Sequence, residues 1–174
     1  SGEAFTSGTP GGELYFSSQS GLAHSDGQLF SDSDADALAF HNSEADITLQ
    51  IGQEEYVRVR NSSGSTITDG QAVYISGNHV GTGLPEIELA QSDALATVED
   101  FVGLATHYIE NNTEGFVTTA GVVNGLNTSA FSNGDVLFVD ESTAGDLTNT
   151  RPSQPNFTAM AGVVLRANTS NGSI

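Results

Sequence analysis

No window of about a dozen residues in this chain keeps an apolar stripe at i, i+3, i+4 and i+7, which removes helix-built folds at the outset. The nearest approach is the Ala-rich stretch from Leu89 to Phe101, whose polar interruptions allow one short helix at most. Short β-branched or aromatic runs bounded by Gly, Asn, Asp and Ser recur instead, the pattern of strands punctuated by turns. Tyr56-Val57-Arg58-Val59-Arg60 alternates cleanly, which places Val57 and Val59 on one face and Tyr56, Arg58 and Arg60 on the other. Further strands are expected at 72–76, 86–90, 101–110, 115–119, 121–124, 135–140 and 159–167, a spacing that suits a sandwich or small barrel.

The chain divides near residue 50. Residues 1–50 are poor in large apolar side chains, with strand-like pieces at Glu13-Leu14-Tyr15-Phe16, Leu29-Phe30, Ala35 to Phe40 and Ile47 to Ile51 separated by turns. A lone hairpin is marginal in water, so this segment reads as an extended strand or hairpin arm that must lie on the body or on a neighbouring chain. Residues 51–174 read as the compact body. The expected fold is therefore all-β: a small β-barrel or sandwich with an extended N-terminal arm. Within the body, "DGQAVYIS" from Asp69 resembles "NGDVLFVD" from Asn133, each with Gly two residues ahead of an apolar-aromatic-apolar strand. Gly103-Leu104-Ala105 follows the first and Gly162-Val163-Val164 the second, which suggests two related β units closing one barrel.

Charge narrows the partners. Lysine is absent, and four arginines (Arg58, Arg60, Arg151, Arg166) face 22 acids, for a formal charge of −18. Nucleic acid and anionic membrane surfaces are repelled, and no apolar run is long enough to span a bilayer. With no cysteine, disulfides and thiolate metal sites are excluded. The start at Ser1 rather than Met leads us to expect a processed or cut N-terminus, and the closing Asn-Gly-Ser-Ile, a turn entering a strand, leads us to expect a natural chain that runs further.

Motifs for chemistry are sparse. His24, His41, His79 and His107 stand in no zinc-type spacing, and His24-Ser25-Asp26 holds triad residue types only as sequence neighbours. No phosphate-binding loop, dinucleotide fingerprint or nucleophile elbow is present, and without tryptophan a sugar platform is thin. No enzymatic activity and no cofactor are expected. Asp32, Asp34 and Asp36 begin like a calcium loop, but Ala37 stands where that loop wants Gly and Ser43 where it wants Glu, so a solvated acidic loop is the favoured reading over calcium. Six N-x-S/T sequons start at Asn61, Asn111, Asn127, Asn156, Asn168 and Asn171, most of them in expected turns.

The stretches "QIGQEEYVRVRNSSGSTITDGQAVYISG", "VGLATHYIENNTEGFVTTAGVVNGLNTS" and "GDVLFVDESTAGDLTNTRPSQPNFTAMAGVVLRANTSNGSI" resemble a domain of tailed-phage tail-fibre or virion structural proteins frequent in aquatic phages. The likeness covers most of 50–174, and "GTPGGELYFSSQSGLAHSDG" looks like a hairpin common in fibre proteins. The resemblance implies an extracellular assembly protein, with copies of itself as partners and other virion proteins or host-surface glycans as further ones. It implies no catalytic residue. A pilus-like surface fibril fits the same pattern. The expected role is a fibre or filament subunit joined by strand exchange through Glu13, Leu14, Tyr15 and Phe16; the alternatives are a capsid decoration protein and a carbohydrate-binding module of a phage fibre.

Overall fold

The computed structural model describes Phe16 and residues 18–174, and the chain falls into two compact units, Ser1–Gly52 and Gln53–Ile174. The fold is all-β; the helical element among the described residues is a single 3-10 turn at Leu95–Thr97, inside the Ala-rich stretch.

In the N-terminal unit, β1 (Ser18–Gln19), β2 (Leu29–Asp32), β3 (Ala37–His41) and β4 (Thr48–Ile51) form one sheet in that order. β1 runs parallel to β2, and the other pairs are antiparallel. The register Leu29↔Phe40↔Leu49 and Ser31↔Leu38↔Ile51 gathers five large apolar residues on one face. Phe30, Ala39 and His41 point to the other face and, with Ile47, are buried. The strand-like pieces expected between residues 29 and 51 are thus paired in one sheet, and its buried residues include an alanine and a histidine, which a count of large apolar residues does not register.

The C-terminal unit opens with β5 (Glu55–Asn61), β6 (Ala72–Asn78), β7 (Pro85–Leu89), β8 (Phe101–Ala105) and β9 (Glu114–Ala120), which close a barrel in the order β5-β7-β6-β8-β9. The closing pair, β5 with β7, is parallel through Arg60↔Glu86 and Asn61↔Ile87. Val59, Ile67, Val73, Ile87, Ile109 and Val117 fill the interior. As the alternation of β5 requires, Val59 is buried and Val57 packs beside it, while Arg58 faces out and pairs with Glu114.

The remaining strands are β10 (Asn124–Leu126), β11 (Val136–Val139), β12 (Leu147–Thr148), β13 (Met160–Val163) and β14 (Gly172–Ser173). They repeat the first five, strand for strand. β6 meets β8 through Ala72↔Leu104, Val73↔Gly103 and Tyr74↔Phe101, and β11 meets β13 through Val136↔Val163, Leu137↔Gly162 and Phe138↔Met160, with a bulge at the same step. Tyr74↔Glu88 and Ile75↔Ile87 correspond to Phe138↔Thr148 and Val139↔Leu147, and Val59↔Gly115 corresponds to Leu126↔Gly172.

The hydrogen bonds recur as well. Gly70 N–H donates to Ala105 O (2.8 Å) as Gly134 N–H does to Val164 O (2.7 Å), and Ile75 N–H to Asp100 O (3.0 Å) as Val139 N–H does to Ala159 O (3.0 Å). Thr68 N–H is capped by Gln71 Oε1 (2.8 Å) and Ser132 N–H by Asp135 Oδ2 (3.0 Å). Gly70 and Gly134 both hold positive φ, 78° and 88°, so the turn ahead of each strand needs glycine.

The Gly-turn-strand likeness thus marks a duplicated five-strand motif, but the two copies do not close one barrel. The parallel β5–β7 pair closes the first copy on itself. The second is open: β10 pairs with β14, β12-β11-β13 form a separate sheet, and no pairing joins β10 to β12 among the described residues. A second core of Leu104, Val123, Leu126, Leu137, Val139 and Val164 draws on both copies.

Candidate functional site

Two surfaces stand out, one in each unit. In the N-terminal unit, none of the apolar residues on the Leu29–Phe40–Leu49 face is fully buried; Leu29 remains 40% and Ile51 45% exposed. A single-layer sheet buries an apolar face only against another layer. Leu38, Phe40 and Leu49 are partly covered.

In the C-terminal unit, a cleft of about 420 Å³ lies between β13 on one side and β8 and β9 on the other. Phe101, Val123, Met160 and Ile174 line it, and none of its lining residues carries an ionisable side chain. In a chain of charge −18 that makes it a neutral patch. On its far side β8 and β9 pair through Leu104↔Thr118 and Ala105↔Val117. Thr118 is 6% exposed, and its Oγ1 is buried without a hydrogen-bond partner.

Of the four residues expected to mediate assembly, Glu13, Leu14 and Tyr15 lie outside the described residues, and Phe16 is half-buried. Asp32, Asp34 and Asp36 are not gathered around a common centre. They border the β2–β3 turn, where Asp32 Oδ1 accepts from Asp34 N–H (2.9 Å), Oδ2 accepts from Gln50 Nε2 (3.1 Å), and Asp36 takes φ 51°. Burial opposes ionisation of Asp32, but the Asp34, Gln50 and Ala35 hydrogen bonds and nearby His41 outweigh it and hold the carboxyl below its usual range. Among the described residues no three His, Asp or Glu side chains form a group able to hold a metal ion.

The histidine next to Ser25 and Asp26 serves packing. His24 Nε2 lies 2.9 Å from Asn42 O, and its ring stacks on His41. The sequons divide by burial. Asn61 is fully buried, its Nδ2 donating to Ser65 O (2.7 Å) and Ile109 O (2.8 Å), so a glycan there is incompatible with the fold. Asn111, Asn127, Asn168 and Asn171 are exposed. No described helix is long and apolar enough to cross a membrane.

Sequence reasoning missed both surfaces. The face on β2–β4 had a readable signal, the alternation of Leu29, Leu38-Ala39-Phe40 and Leu49-Gln50-Ile51. The cleft had none, because Thr118 and Met160 meet only through tertiary structure. Compared with known proteins, the chain matches no family model, no curated protein and no solved structure.

Proposed function

We propose that this chain is a non-enzymatic structural subunit that self-assembles into an extracellular fibre or filament, phage fibre-like or pilus-like. The observation that carries this reading is the apolar face of the N-terminal sheet, Leu29, Leu38, Phe40, Leu49 and Ile51 in register across three strands with Leu29 and Ile51 partly exposed. A contiguous apolar face on a strongly charged protein marks a contact surface. Net repulsion between copies of a −18 chain makes uncharged surfaces the places where contact costs least. The resemblance of 50–174 to virion structural proteins points the same way.

Electron microscopy of the purified full chain tests it. Threads or rods are expected, and their loss is expected in Leu29→Glu and Ile51→Glu variants that keep a native circular dichroism spectrum. Monodisperse single particles at every concentration would contradict self-assembly. Threads unaffected by either variant would move the contact away from this face.

A further inference from the structure

The strands that carry the apolar face of the N-terminal sheet carry a pair of stacked histidines on their other side. Along β3, Leu38 and Phe40 belong to the apolar face, and Ala39 and His41 point away from it. His41 anchors the segment that leads into β2. Its main chain meets that segment twice: Gly27 N–H donates to His41 O and His41 N–H donates to Gln28 O, both at 2.9 Å. Its ring holds the rest. Ser25 N–H donates to His41 Nδ1 (3.3 Å), and the ring of His24 lies on the ring of His41 with its own Nε2 2.9 Å from Asn42 O. Leu29, part of the apolar face, follows Gln28 directly in the chain. Among the described residues of this unit the buried apolar side chains are Phe30, Ala39 and Ile47, so the imidazole pair is a large part of what holds the segment down.

We propose that the His24–His41 pair is an acid-sensitive clamp on the assembly contact: a proton taken up by His41 frees the segment His24–Gln28, loosens Leu29 from the apolar face and takes assemblies apart. The proposal rests on the self-assembly reading above and adds a regulator to its contact. A proton at Nδ1 removes the lone pair that accepts from Ser25 N–H. It also puts a charge on a ring that is 3% exposed and 4.5 Å from a second imidazole. Among the described residues the titratable groups acting on His41 are His24, from the segment ahead of β2, which opposes the proton, and Asp32, at the end of β2, which favours it. Phe30, at 4.8 Å, and the Gln28 amide, 3.1 Å from Nδ1, are neutral. Burial and His24 together outweigh Asp32, so the open clamp takes the proton more readily than the closed one, and acid drives opening. The sign is opposite to that of the net charge. Acid makes a −18 chain less negative and its copies less repulsive, which by itself favours assembly.

Light scattering of the full chain at about pH 7.5 and about pH 5.5, at one ionic strength, tests the clamp in the interval where histidine titrates and carboxylates stay ionised. The expected result is a loss of about tenfold or more in scattering at the acid pH, regained on return to the higher one. His41→Phe, or His41→Gln where the first does not fold, removes the titrating ring and is expected to scatter equally at both. Scattering that holds or rises in acid in the unaltered chain overturns the clamp and leaves self-assembly standing. So does an equal fall in a folded His41 variant. Monomers at both pH values overturn self-assembly and the clamp's role in it. Exchange at the Gly27 and His41 amides of the same samples, corrected for intrinsic rates, then reads the clamp alone: about tenfold faster exchange in acid is the expected opening, and equal rates overturn it.

Discussion

The imidazole rings of His24 and His41 stack with centroids 4.5 Å apart and planes 23° from parallel. His41 is 3% exposed, tilts against Phe30 at 4.8 Å, and has Nδ1 3.1 Å from Gln28 Oε1. Burial lowers its pKa from the ordinary 6.5, the neighbouring His24 lowers it further, and Asp32 partly opposes them. The folded state therefore takes up a proton at His41 less readily than the unfolded chain does. The stability held by neutral His41 is complete above about pH 6.5 and is lost as pH falls below that value toward the folded-state pKa. Amide exchange in β2 and β3, corrected for intrinsic rates, is expected to show weaker protection at about pH 5.5 than at pH 7.5. A His41→Phe variant is expected to flatten the difference. Equal protection at both pH values in the unaltered chain would contradict this assignment.

Asn61 closes a turn and the barrel wall together. Its Nδ2 serves Ser65 O and Ile109 O, and its Oδ1 accepts from Ser63 N–H at 2.8 Å. Asn61→Ala removes three hydrogen bonds of a fully buried amide, while Ile109 O keeps Ile67 N–H and Ser65 O keeps Ser63 Oγ, and is expected to destabilise the C-terminal unit by about 1–3 kcal/mol, read from chemical denaturation. A loss below about 1 kcal/mol would mean that water replaces the side chain.

The duplicated motif makes a paired prediction. Gly115 and Gly172 occupy matching positions opposite Val59 and Leu126. A Cβ on Gly115 would stand 2.6 Å from Ile109 Cγ1, and one on Gly172 would collide with Thr128 Oγ1 and stand 2.8 Å from Leu126 O. Both Gly→Ala variants are expected to lose about 1–3 kcal/mol by overpacking. Thermal melts showing only one of the two sensitive would break the equivalence.

Arg58 and Glu114 pair across β5 and β9 with side chains 61% and 29% exposed. Exposed pairs contribute about 0–1 kcal/mol, so Arg58→Ala is expected to leave the melting temperature within a few degrees.

The fold class was legible because the chain alternates at period two and marks its turns with glycine. Tyr56 to Arg60 became β5, with Val59 inside as expected. The duplication was legible for a related reason: Gly70 and Gly134 need positive φ, and Gly103 and Gly162 follow at comparable distances. Closure was not legible. It depends on Arg60 and Asn61 meeting Glu86 and Ile87 in parallel, a long-range pairing with no local mark. The burial of Ala39 and His41 in the N-terminal sheet was not legible, because a count of large apolar residues passes over both. Asp32 looked like a metal ligand in sequence because Asx-turn chemistry and calcium loops use the same residue types; the Asp34 N–H and the Gln50 amide take up its oxygens.

Self-assembly through uncharged surfaces has a direct test in sedimentation velocity of the full chain as ionic strength rises from about 0.01 M to 0.5 M. Salt shortens the Debye length from about 30 Å to a few ångströms over this range, weakening repulsion between copies of charge −18 while leaving apolar and main-chain contacts in place. The predicted result is growth from the 18.0 kDa monomer into large species as salt increases. A single monomer boundary at every salt concentration and loading would contradict the account.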